Sequence, residues 1–197
     1  MTAKQKIARG KRAQSVGQKR PFTQEQVQLI RANLEAKEEV MQLALLETSI
    51  STCLRSSDLL ALTAGQVLGV GGGIADKLPI RQQKTGDVVL ARLNERARRA
   101  LSLWVVKADF RASDRLFPFT RQNYGRIIKD WARLAHVDPK HYSTHSMRRT
   151  HPAHLYHKTK NVKAAQILLG HSSIAHTGAY LGVDEDTAHN LAEEHEV

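Results

Sequence analysis

The chain has one cysteine, Cys53, in 197 residues. No disulfide can close within it, and a lone thiol fits a reducing cytoplasm. No apolar run approaches the roughly 20 residues that a bilayer-spanning helix needs. The N-terminus is basic but lacks the apolar stretch of a secretory signal. These absences set the expectation of a soluble, cytoplasmic protein. No internal repeat is present, which argues against a solenoid or propeller. Acids are missing from the first twenty residues, and Lys and Arg from the last fourteen.

What is present is positive charge. Lys and Arg number 30 against 19 Asp and Glu, a formal charge of +11. Lys4, Lys6, Arg9, Lys11, Arg12, Lys19 and Arg20 crowd the first twenty residues, while Asp184–Val197 holds six acids. The stretch between, Pro21–Val183, still carries 23 basic and 13 acidic residues. Such a surface suits a polyanionic partner, nucleic acid being the commonest. The length suits one domain with a proper core.

Residues 1–20 have almost nothing apolar and read as a disordered basic arm. Thr23 followed by Gln26 reads as a capping box, opening a helix with Val27, Ile30 and Leu34 on one face. Further helices are expected at about Glu38–Ser49 and Arg55–Leu62. Glycines then punctuate short apolar segments, Gln66–Val70, Lys77–Gln82 and Asp87–Ala91, which suggest three antiparallel strands. Helical periodicity returns at about Glu95–Val106, Arg121–Ala135, His145–His157, Val162–Leu169 and Ile174–Tyr180. The fold class is mainly α with a small three-stranded antiparallel sheet. Residues 21–183 form the folded domain, and 184–197 an acidic tail.

Within this frame stand residues of types that can carry chemistry. Arg55 heads the third helix in Leu54-Arg55-Ser56-Ser57-Asp58-Leu59. Lys84 sits in a polar turn, Lys84-Thr85-Gly86, between two strands. His145 and Arg148 lie three apart, on one helix face. His171 follows Leu169-Gly170, where Gly170 suits a helix C-terminus, and Tyr180 follows nine residues later. Singly, each has an ordinary reading: a surface arginine, a turn lysine, a solvated helix face, a cap, an aromatic at the core's edge. The ordered set is what carries information.

In that order and local setting, the set resembles the tyrosine recombinase family. The match runs through Leu54-Arg55, Lys84-Thr85-Gly86, His145-Ser146-Met147-Arg148-Arg149-Thr150, Leu169-Gly170-His171-Ser172 and, after Thr177, Tyr180. It spans about Pro21–Asp184. The resemblance implies a site-specific recombinase or integrase that cuts and rejoins double-stranded DNA through a 3′-phosphotyrosine. Arg55 and Arg148 would hold the non-bridging oxygens of the phosphate, where attack builds negative charge. Tyr180 would be the nucleophile, with His145 as its proton acceptor, because a free phenol ionises only near pH 10. Lys84 would protonate the leaving 5′-hydroxyl, and His171 would donate to a phosphate oxygen. The bond energy stays in the adduct, so no cofactor is implied. The arm lysines and arginines would contact DNA, and strand exchange between two sites implies a tetramer on DNA and a monomer off it.

Some positions depart from the family pattern. Cys53 replaces a usual glycine, Asp58 a usual glutamate and Arg149 a common histidine. Pro152 should kink or end the helix carrying Arg148, because it removes the hydrogen bond to that carbonyl. A twenty-residue arm is too short for the separate N-terminal helical domain that most members have, so the likeness is to short single-domain members or to a catalytic fragment. A type IB-like topoisomerase, or a non-catalytic DNA-binding regulator of the same fold, are the alternatives. Six histidines between His136 and His157 invite a metal reading, but no thiol or carboxylate joins them at ligand spacing, and no metal is expected. The Gly69–Gly73 run lacks the Gly-Lys-Ser/Thr ending of a phosphate loop.

Overall fold

The computed structural model describes residues 19–69, 71–170 and Thr177. Four helices open the fold: α1 (Gln24–Ala36), α2 (Val40–Thr52), α3 (Ser56–Leu60) and α4 (Ala64–Val67). A hairpin of β1 (Lys77–Arg81) and β2 (Val88–Arg92) follows, then α5 (Glu95–Ala108), α6 (Arg121–Leu134), a 3-10 turn (Pro139–His141), α7 (Thr144–Thr159) and α8 (Val162–Leu169). The capping box is formed: Thr23 Oγ1 accepts from Gln26 N–H and Gln26 Oε1 from Thr23 N–H. Val27, Ile30 and Leu34 are buried. α1, α2, α5 and α6 close round a core in which Trp131, Tyr124, Phe22, Leu45 and Leu101 lose nearly all contact with solvent.

The sheet differs from expectation. Among the described residues it has two strands, paired antiparallel with Lys77 opposite Arg92 and Arg81 opposite Val88. The segment expected as a third strand starts inside α4, because Thr63 and Gln66 form a second capping box and wind Ala64–Val67 into one helical turn. Leu68 makes only an isolated bridge to Ile74. The hairpin still packs one face inward, through Leu78, Ile80 and Ala91.

α7 does not end at Pro152; it runs on to Thr159. Packing supplies the reason. Pro152 is buried, and so are Arg148, Arg149 and Thr150 before it and Ala153 after it. Tertiary burial outweighs the one backbone hydrogen bond that proline removes. The expected basic arm and acidic tail lie outside the described residues apart from Lys19 and Arg20. Of the expected helix Ile174–Tyr180, only Thr177 is described; it is helical and buried.

Cys53 caps the end of α2 in the left-handed region, at φ 52° and ψ 23°. That conformation costs a residue with a Cβ about 1–2 kcal/mol, which gives glycine its advantage there. Burial pushes the Cys53 thiol up to about 12, against an opposing pull from Arg148. A buried thiol that stays protonated is a poor nucleophile. Cys53 should therefore resist iodoacetamide at about pH 8 in the native protein and react at the rate of a free cysteine in denaturant. Rapid native alkylation, read by mass spectrometry, would contradict this.

Candidate active site

The turn from α2 into α3 presents Arg55. After the left-handed Cys53, Leu54 is buried and Arg55 takes the N-cap position of α3 with extended backbone, φ −64° and ψ 150°. Its guanidinium is half-buried and donates from Nη1 to Gln82 Oε1 at 2.5 Å.

Lys84 lies at the tip of the β1–β2 hairpin. The tip is closed by Gln82 N–H to Asp87 O and by Gly86 N–H to Gln82 O, both 2.8 Å. Gly86 has φ 77°, which glycine adopts without strain. The tip is also pinned to α3, since Asp58 Oδ1 accepts from Gln83 N–H at 3.0 Å. Asp58 is buried. This carboxylate thus braces the lysine turn against the helix that Arg55 begins.

α7 carries the other two. Ser143 caps it, and His145 and Arg148 follow on the face turned toward Arg55 and Lys84. Arg148 is buried and its Nη2 donates to the carbonyl of Leu169, fastening α7 to the end of α8. α8 stops at Gly170, which is left-handed at φ 58°. A Cβ there would stand 3.3 Å from Gln82 Nε2 and 3.4 Å from Val89 Cγ1, so the position suits glycine twice over.

These elements enclose a cleft of about 510 Å³ lined by Arg55, Ser56, Ser57, Lys84, Arg121, Thr144, His145 and Arg148. Among the described lining residues four carry full positive charge, and none is a carboxylate. His145 is held below the usual histidine range by partial desolvation, then by Arg121, Arg148, Arg149 and Lys84. It is neutral at physiological pH and able to accept a proton. The arrangement fits a phosphate-sized anion beside a neutral base.

Four of the six expected catalytic residues, Arg55, Lys84, His145 and Arg148, meet in this cleft. His171 and Tyr180 lie outside the described residues, as do Lys4, Lys6, Arg9, Lys11 and Arg12. Lys19 and Arg20 are described, and both are fastened. Lys19 Nζ donates to Lys140 O at 2.7 Å, and Arg20 N–H to His141 O at 2.9 Å. Arg121 and Gln82 were not singled out from sequence. The one clue to Arg121 is its place directly after the capping residue Thr120, and Gln82 has none beyond its nearness to Lys84. The clustered histidines turn to separate tasks. His154 Nε2 bonds the Phe22 carbonyl at 2.7 Å, His141 lies 4.0 Å from Asp138, and His145 faces the cleft.

A second groove, of about 800 Å³, adjoins the cleft and shares Arg121 and Thr144 with it. Its wall is the outer face of α6, with Arg121, Gln122, Gly125, Arg126 and Lys129.

The sequence profile of the Phage integrase family matches residues 20–187. A tyrosine recombinase XerD from Yersinia pestis is 29% identical over 177 residues, covering 83% of this chain and 56% of the relative. A XerD from Pseudomonas putida is 32% identical over 166 residues, covering 77% and 53%. The chain spans about half the length of these curated relatives. Among solved structures, the XerA recombinase superposes with a TM-score of 0.70 at 15% identity, over 91% of this chain and 66% of that one. XerH bound to its difH substrate gives 0.68 at 18%, over 87% and 53%. A lambda integrase dimer on a COC′ core site gives 0.61 at 19%, over 84% and 60%. The fold is that of the tyrosine recombinase catalytic domain, and the chain belongs to the Phage integrase family.

His145 and His151, the latter lowered chiefly by burial, both bind protons less readily when folded than when unfolded. The unfolded chain then takes up more protons as pH falls, so stability is full above the ordinary value of 6.5 and is lost progressively below it. Glu25 and Asp138 are also held low, but act only below their ordinary values of 4.5 and 3.8. Melting should therefore drop between about pH 7.5 and pH 5.5, and His151→Gln should narrow the drop. An unchanged gap in the variant would exclude His151.

Proposed function

We propose that the chain is the DNA-breaking and rejoining part of a site-specific recombinase, acting through Tyr180. The observation that carries this is a cleft whose described lining brings four cations together with a neutral histidine, on this family's fold. Arg55 and Arg148 hold the two non-bridging oxygens of the scissile phosphate and stabilise the charge that attack adds. The Tyr180 oxygen forms a bond to phosphorus as its proton passes toward His145. The bond to the 5′-oxygen breaks, and Lys84 supplies the proton that the leaving oxygen needs. His171 donates to a phosphate oxygen. Reversal of these steps with the 5′-hydroxyl of another strand reseals the backbone, so no energy source is consumed. The partner is double-stranded DNA, bound with help from the basic arm, by a protein that is monomeric off DNA and tetrameric across two sites.

Tyr180→Phe should keep DNA binding and lose all covalent adduct on a nicked suicide substrate; adduct from the Phe variant would reassign the nucleophile. Arg55→Ala or Arg148→Ala should slow adduct formation by about 10²–10³. Lys84→Ala should recover on a substrate with a 5′-thiol leaving group, which needs no proton. A variant equally slow on both substrates would remove Lys84 as the acid.

The α6 groove extends the DNA path. Arg121, Arg126 and Lys129 share its outer face with Gly125. A glycine inside a helix costs about 0.5–1 kcal/mol relative to alanine. Nothing lies within 4 Å of where its Cβ would stand among the described residues, so internal packing does not require it, and the bare backbone leaves room for a duplex to approach closely. Gly125→Ala should thus raise the stability of the free protein by about 0.5–1 kcal/mol while weakening duplex binding by roughly tenfold. Improved stability with unchanged affinity would take α6 off the DNA path.

A further inference from the structure

Gln82 sits at a junction that the chemistry above does not use. It is buried, 3% exposed, in the last position before the hairpin tip. Its main chain closes the tip through both its N–H and its carbonyl. Its side-chain oxygen accepts from Arg55 Nη1 at 2.5 Å and from Thr85 Oγ1 at 3.0 Å. Arginine only donates, so the amide must turn its oxygen to Arg55, and Nε2 then faces Gly170. One side chain therefore touches the arginine, the lysine turn and the glycine that precedes His171.

We propose that Gln82 is a positioning residue: its neutral amide aims Arg55 into the cleft and locks the Lys84 turn to it without cancelling the arginine's charge. The inference rests on the recombinase reading and adds to it a residue that orients its machinery. The physical point lies in the choice of acceptor. A carboxylate at this position would bind Arg55 more strongly, but as a counter-ion competing with the phosphate. An amide holds the same geometry and leaves the field intact. Arg55 has five N–H donors in a rigid fork, so one spent on Gln82 fixes the direction of the rest. Asp58, the nearest buried acid, is consistent with this: its bonded oxygen is turned to the Gln83 amide and to Ser57, not to Arg55.

Two variants separate positioning from bracing. Gln82→Glu is close to isosteric and still accepts from Arg55 and Thr85; Gln82→Met keeps the length and loses the acceptor. A residue that merely braces the fold predicts that Glu is tolerated and Met is not. The proposal predicts the opposite order in rate. Single-turnover adduct formation on saturating suicide duplex should fall about tenfold for Met through lost aim, and about a hundredfold for Glu through a quenched arginine. Duplex affinity should stay within about threefold, since Arg55 is one of many cations facing DNA. Melting should follow the other order, with Glu at or above Met. Glu reacting as fast as Met, or faster, overturns the proposal. Should Gln82→Met fail to fold, a Gln82→Glu rate equal to that of the unaltered protein overturns it alone. Failure of the unaltered protein to form adduct is a different result, since it overturns the recombinase reading and leaves Gln82 nothing to position.

Discussion

Like charges gathered in one cleft are the constraint on which this site depends. At an effective dielectric of about 20, two unit charges roughly 6 Å apart repel by about 3 kcal/mol, and four cations line one cleft here. The usual relief would be carboxylates, yet among the described residues each arginine is also held by a neutral oxygen. Arg55 meets the Gln82 amide and Arg148 the Leu169 carbonyl. Neutral acceptors hold direction and leave the field uncancelled. The rest of the fold must then supply the rigidity that ion pairing would otherwise have given.

Much of that rigidity is in α7. The segment before α1 lies along it as a strap. Arg149 donates to Lys19 O at 2.6 Å, Phe22 N–H to Thr150 Oγ1 at 3.2 Å, and His154 meets the Phe22 carbonyl. Phe22 is fully buried and stacks on Tyr142, centroids 4.2 Å apart. These contacts span the middle of α7, where Pro152 weakens the backbone ladder. Arg149 and Thr150 immediately follow Arg148, so the residues just before α1 help fix the helix that aims it.

The parts legible in the sequence were those with a local physical cause. The capping box at Thr23 and Gln26, the glycine ending α8 and the shared face of His145 and Arg148 all stand as read. The second capping box, Thr63 with Gln66, escaped notice because α4 is a single turn, too short to show a period of 3.6. Its apolar residues therefore looked like a strand. Cys53 in place of glycine was visible as a departure, but only its backbone angles give the reason glycine has an advantage there. Asp58 was likewise visible only as a departure, a shorter acid in place of glutamate; its part in bracing the Gln83 amide shows only in the structure. Gln82 and Arg121 could not be found this way, since their significance is spatial: one bonds the Arg55 guanidinium, and the other lines the same cleft as Lys84. His171, Tyr180 and most of the arm belong to stretches outside the described residues, so for them the ordered motif still carries the argument.

The same cations account for the state of the base. Desolvation together with Arg121, Arg148, Arg149 and Lys84 lowers the proton affinity of His145, which keeps it neutral but also makes it a weaker acceptor. On the recombinase reading, the scissile phosphate removes part of that handicap. A phosphodiester seated between Arg55 and Arg148 brings one negative charge among the cations, and attack brings more. Each increment offsets the field that had suppressed protonation of His145. The histidine's basicity therefore rises as the substrate seats and again as charge builds on the phosphate, which is when the tyrosine must give up its proton. Duplex binding also expels water, which works the other way by penalising the charged ring, but in a drier cleft the attraction between an imidazolium and a phosphate dianion grows as well. Carboxylate partners would have raised His145 toward its ordinary value in the free protein and left the phosphate less to change. Neutral acceptors at Gln82 and Leu169 are consistent with a base that strengthens as its substrate binds.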